Sequence, residues 1–102
     1  MTTELDENSF KTHISGSLSL VDFWAPWCGP CQMLGPIVEQ LSAEMKDVKI
    51  GKLNVDDHGD LAGQYQVSGI PTIILFKNGE IVDRKTGVLP KEALRNWIAS
   101  YK

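Results

Sequence analysis

Leu18-Ser19-Leu20-Val21-Asp22-Phe23-Trp24 is apolar at nearly every position, and Ala25-Pro26-Trp27-Cys28-Gly29-Pro30-Cys31 follows it directly. A run without polar alternation suits a strand covered on both faces. Residues 32–46 then place Leu34, Ile37, Val38, Leu41 and Met45 at helical spacing, giving one apolar stripe. A buried strand therefore passes through a cysteine pair into a long helix. Pro36 lies within the stripe and cannot donate to the carbonyl of Gln32, which predicts a kink.

Outward from this unit the periodicity keeps alternating. Upstream, Phe10 and Ile14 at i, i+4 predict a short helix over 6–15, while Thr2-Thr3-Glu4-Leu5 is too weakly apolar to decide whether an edge strand precedes it. Downstream, residues 48–55 are rich in β-formers, and 59–66 form a short helix that would bury Leu61, Ala62 and Tyr65. Thr72 to Lys77 reads as a strand, Asn78-Gly79 as a tight hairpin turn, and Glu80 to Thr86 as the returning strand. Pro90 suits the first turn of a last helix that carries Leu94, Trp97, Ile98 and Tyr101 on one face. Alternation followed by a hairpin predicts an α/β fold, a mixed sheet of four to five strands with helices on both faces. No linker, repeat or low-complexity tract divides the chain, so residues 1–102 read as one domain.

Composition narrows the classes of function. With 42% hydrophobic and 23% charged residues in 102, the chain builds one ordinary core, and folding hides roughly two-thirds of its surface. Net charge is −3 and no basic cluster exceeds Arg84-Lys85, so nucleic acid is not an expected partner. The longest unbroken aliphatic or aromatic run is Ile73-Ile74-Leu75-Phe76, far short of a membrane span. The N-terminus has neither a basic nor an apolar leader region, so no secretory signal is expected.

The chemistry lies in Cys28-Gly29-Pro30-Cys31. A thiol at a helix N-terminus faces unpaired backbone N–H groups and the positive dipole end, both of which favour thiolate. A separation of three residues puts both sulfurs on one side of the first turn, within disulfide reach. So small a ring constrains the unfolded chain little, which leaves the bond free to act as a reversible redox couple. Half a zinc site is the competing reading, but structural zinc needs four ligands and the only histidines are His13 and His58. A purely structural staple is the other. Asp22 is either a buried acid, whose carboxyl desolvation would keep protonated, or a solvated strand-end acid. Lys52 is by itself an ordinary strand lysine, Pro71 an ordinary trans proline and Gly87 an ordinary turn glycine.

Val21 through Cys31 resembles the active-site segment of the thioredoxin family. The resemblance extends to Lys52-Leu53-Asn54-Val55-Asp56, Gly69-Ile70-Pro71-Thr72 and Gly87, and covers roughly residues 10–102. It implies a protein-disulfide reductase in which Cys28 attacks and Cys31 resolves. Asp22 would then exchange protons with Cys31, Lys52 would lie near Asp22, and Pro71 would be cis and face the cysteines. The same likeness implies a substrate surface from Trp27, Gly29, Pro30, Gly69, Ile70, Pro71, Gly87 and Val88, with Trp24 beneath the site. It also implies regeneration by thioredoxin reductase drawing on NADPH and disulfide-containing client proteins; thiol–disulfide exchange needs no bound cofactor or metal, and a free thiol couple without a secretory signal fits the cytoplasm. A non-catalytic binding subunit built on the same fold is the alternative. Two departures stand out: Gln32 replaces a commonly basic residue, and the segment before Phe10 lacks the apolar alternation of the family's first strand.

Overall fold

Val21, Phe23, Leu20 and Asp22 are all shut off from solvent, and that is possible only in the middle of a sheet with both faces covered. The computed structural model describes residues 2–102. Its elements are β1 (Thr3–Glu4), α1 (Glu7–Ile14), β2 (Ser19–Trp24), α2 (Gly29–Glu44), β3 (Lys49–Asn54), α3 (Gly59–Gln64), β4 (Thr72–Lys77), β5 (Glu80–Thr86) and α4 (Lys91–Ala99). They form a thioredoxin fold, a five-stranded sheet in the order β1-β3-β2-β4-β5. β1, β3 and β2 run parallel, while β4 is antiparallel to both β2 and β5.

Alternation along the strands divides the core into two layers. Leu20, Ile50, Ile73 and Leu75 meet Leu34, Val38 and Leu41 of α2 and Leu94 and Ile98 of α4. On the opposite face Val21, Phe23, Leu53, Ile74 and Phe76 pack against Phe10 and Ile14 of α1 and Ala62 of α3. Helices therefore cover both faces, as the periodicity predicts. In α3, Ala62 is buried whereas Leu61 is only half-buried, with Tyr65 likewise half-buried just beyond the helix.

Local chemistry sets the ends of the elements. Asp6 caps α1 by accepting from the N–H groups of Asn8 and Ser9, both at 2.9 Å, and the Ser9 hydroxyl accepts in return from the Asp6 N–H at 3.0 Å. Asn78 (φ 54°) and Gly79 (φ 84°) both take left-handed backbone, the geometry a two-residue hairpin needs. α2 starts at Gly29, directly after Cys28 as the sequence places it, and continues through Pro36, so the missing donor interrupts its ladder without ending it. Pro90 stands at the N-cap of α4, one position before the first turn in which its sequence context places it. The undecided N-terminal segment is a strand: Thr3 and Glu4 lie opposite Gly51 and Lys52, and the Leu5 N–H donates to the Lys52 carbonyl at 2.8 Å. One buried apolar side chain, Leu5, anchors it.

Candidate active site

β2 and β3 run side by side and end at the same rim of the sheet, which is also where β4 begins. Three loops converge there, carrying Trp27–Cys31, Val55–Asp57 and Gly69–Pro71. Cys28 has extended backbone (φ −89°, ψ 113°) and is the N-cap of α2; its sulfur accepts the Cys31 backbone N–H at 3.2 Å. The two residues are joined by a disulfide with Cα atoms 5.2 Å apart. Pro30 falls in the first turn, where no intrahelical donor is needed. The sulfurs sit in a small apolar cluster with Ala25, bordered by Trp24, Val55 and Ile70.

Around that cluster the surface is open and apolar. Trp27 is 71% exposed and Val88 36% exposed, and Gly29, Pro30 and Gly69 are exposed as well. The Trp27 indole is held by its Nε1–H, which donates to Asp56 Oδ1 at 3.1 Å. The Cys28 sulfur lies 3.8 Å from the Ile70 carbonyl oxygen, a contact only, since a disulfide sulfur carries no proton. The Ile70–Pro71 peptide is cis. Gly87 (φ 99°) adopts backbone that favours glycine, and its N–H donates to the Pro71 carbonyl at 2.8 Å. This bond ties the end of β5 to the same rim.

Two residues in from the end of β2 stands Asp22, with 0% of its surface exposed. Neither carboxylate oxygen has a hydrogen-bond partner among the described residues. Burial pushes its carboxyl up to about 7, with Lys52 opposing the rise and Glu4 adding to it. The solvated strand-end reading of Asp22 is thereby excluded. Lys52 faces Asp22 in the β2–β3 register, is half-buried, and holds its ammonium 4.5 Å over the Trp24 ring. Trp24 is thus a wall of the site rather than wholly a core residue. With Cys31, Gln32, Gly35, Pro36, Glu39 and Lys52 it lines a groove of about 320 Å³.

Trp27 to Cys31, Gly69 to Pro71 and Gly87 lie at this rim, and Asp22 and Lys52 lie opposite each other two residues in from it along β2 and β3. Asp56 is the clearest contact that the sequence reading did not single out. Its signal was available: parallel neighbours end together, so a residue just past β3 falls beside one just past β2. The two histidines are engaged elsewhere. His13 Nε2 bonds the Leu20 carbonyl at 3.2 Å and His58 Nδ1 bonds the Glu7 carboxylate at 2.8 Å.

Comparison with known proteins agrees with the geometry. The family model described as Thioredoxin matches residues 1–100. Thioredoxin of Chlamydia caviae is 50% identical over 94 residues, 92% of each chain. Thioredoxin of Bacillus subtilis is 46% identical over 93 residues, covering 90% of this chain and 89% of its own. Among solved structures, a mutant thioredoxin from Halobacterium salinarum superposes with a TM-score of 0.91 at 40% identity, covering 98% of this chain and 89% of that one.

Proposed function

The chain belongs to the thioredoxin family, and we propose that Cys28 is its nucleophile, Cys31 its resolving thiol and Asp22 the proton acceptor between them. The chain is a thiol–disulfide oxidoreductase that reduces protein disulfides at Cys28 and Cys31. The observation that carries this is the disulfide closed across the first turn of α2, where the Cys28 sulfur already receives a backbone N–H.

In the reduced protein the Cys28 thiolate attacks a client disulfide, forms a mixed disulfide and releases the first client thiolate. Cys31 gives its proton to Asp22 and attacks the Cys28 sulfur. The second client thiolate leaves, the Cys28–Cys31 disulfide forms, and two electrons have passed to the client. Burial supports the role of Asp22, because a carboxyl poised near neutrality moves a proton in either direction. Lys52 opposes the rise of Asp22 and tunes that balance.

Trp27, Gly29, Pro30, Gly69, Ile70, Pro71, Gly87 and Val88 would receive the client. An extended client segment would pair with the backbone of Ile70 beside the sulfur, a form of strand addition. The exposed Trp27 and Val88 support an apolar contact on either side. Thioredoxin reductase would return the disulfide to dithiol with electrons from NADPH, within the cytoplasm. The testing assay is NADPH consumption with thioredoxin reductase and insulin as the disulfide substrate. Turnover that disappears in Cys28→Ser is expected; absence of turnover in the unaltered protein overturns the reading.

A further inference from the structure

Lys52 shares its sheet row with two carboxylates and its groove with a third. In the sheet register it lies opposite Asp22 on β2 and Glu4 on β1, so the three side chains form one row on a single face. From above, α2 brings Glu39 to the groove that Lys52 and Cys31 also line. The ammonium sits over Trp24, and a Cβ on Gly35 would stand 3.7 Å from it, so it reaches up toward the helix. Asp22 is left with no polar partner among the described residues. Glu39 is itself fixed: the Thr2 N–H donates to Oε1 at 2.9 Å and the Thr2 hydroxyl to Oε2 at 2.6 Å. On its other side Asp22 meets Ile73 of β4, and beyond it in the same row Lys85 of β5, whose ammonium lies 5.5 Å from the Trp97 ring.

We propose that Glu4 and Glu39 are positioning residues for the proton step at Cys31: from the sheet edge and from α2 they offset the Lys52 charge and so let Asp22 hold a proton. The assignment rests on the proton-relay reading of Asp22. Both effects have the same sign. Glu4 acts on Asp22 as a like charge, and Glu39 draws on the same ammonium that favours the Asp22 carboxylate. Both glutamates are exposed. Glu4 stands two strand spacings from Asp22, about 10 Å, so solvent limits each effect to about half a pH unit.

The test follows the Asp22 carboxyl by carbon NMR in the full oxidised chain, for the unaltered protein, Glu4→Gln, Glu39→Gln, the double variant and Glu4→Asp. Stopped-flow measurement of mixed-disulfide resolution against pH accompanies it, with Asp22→Asn included. Each Gln variant should move the Asp22 titration and the rate profile to lower pH. The double variant should move them by about one unit, a tenfold change in the ratio of ionised to protonated Asp22 at fixed pH. Glu4→Asp should restore most of the unaltered behaviour. An unshifted Asp22 titration in the double variant overturns the proposal while leaving the relay intact. Resolution at the unaltered rate in Asp22→Asn overturns the relay and this proposal with it.

Discussion

The backbone N–H of Cys31 points at the sulfur of Cys28 from 3.2 Å. The sulfur thus takes the place that a serine or aspartate oxygen fills in an ordinary N-cap. In the disulfide form the proposed resolving residue gives its main-chain N–H to the sulfur of the proposed nucleophile.

Thiol reactivity should follow from that arrangement. After reduction, Cys28 should be alkylated by iodoacetamide at lower pH than an unstructured thiol, because the helix N-terminus favours its ionised form. In Cys31→Ser the first attack should survive while release fails, so covalent adducts with clients should accumulate in mass spectra. Equal alkylation of Cys28 and a peptide thiol across the pH range would refute the argument.

Burial of Asp22 has a cost in stability with a definite sign. Its proton is held more tightly in the folded state, where it titrates at about 7, than in the unfolded chain, where it titrates near 3.8. Its favourable contribution is therefore complete below about pH 4 and is lost as pH rises through 7. Urea unfolding of Asp22→Asn beside the unaltered protein should show the variant gaining relative stability from pH 4 to 8, by about 4 kcal/mol at most. A difference that stays flat with pH would show that the acid is not desolvated.

On the other face of the sheet, the Phe10 ring is 1% exposed and lies 5.3 Å from Tyr65, 5.8 Å from Phe76 and 6.3 Å from Phe23 between centroids. Phe10→Ala should cost about 3–5 kcal/mol through the cavity it leaves. Because β2 and its neighbours separate this layer from α2, insulin reduction per folded molecule at 25 °C should be retained. Loss of activity without loss of stability would contradict that separation.

Gly51 makes room for β1. A Cβ there would come within 2.9 Å of Leu5 Cδ1 and 3.0 Å of the His13 ring. Gly51→Ala should therefore destabilise the protein by about 1–3 kcal/mol. It should also speed hydrogen exchange at the Leu5 N–H, which bonds the Lys52 carbonyl. Unchanged protection at Leu5 would mean that the strand accommodates the methyl group freely.

What could be read from residues alone was whatever depends on near neighbours. The unalternating apolar run of β2, the stripe Leu34–Val38–Leu41 and the Asn78-Gly79 turn each declare themselves within a few positions. β1 did not, because two residues carry no periodicity and their pairing depends on Gly51, far along the chain. The start of α2 was legible, because its cap is local: the Cys28 sulfur meets the N–H only three residues on. Asp22 announced itself as an acid within an apolar run, yet its register with Lys52 and Glu4 did not. The cis bond before Pro71 was expected only through family resemblance, since nothing in Ile70-Pro71 itself distinguishes it.

The two outer strands bear on how this protein behaves when crowded. If clients pair with the Ile70 backbone as proposed, the sheet also runs the risk of being extended by another copy of itself. Here one margin is a strand of two residues. The other, β5, carries Asp83, Arg84 and Lys85 in succession, and its register with β4 slips at Leu75/Phe76. Short length on one side, and charge with a bulge on the other, deny self-templating a long flat border and leave the proposed client rim as the place for strand pairing with foreign chains.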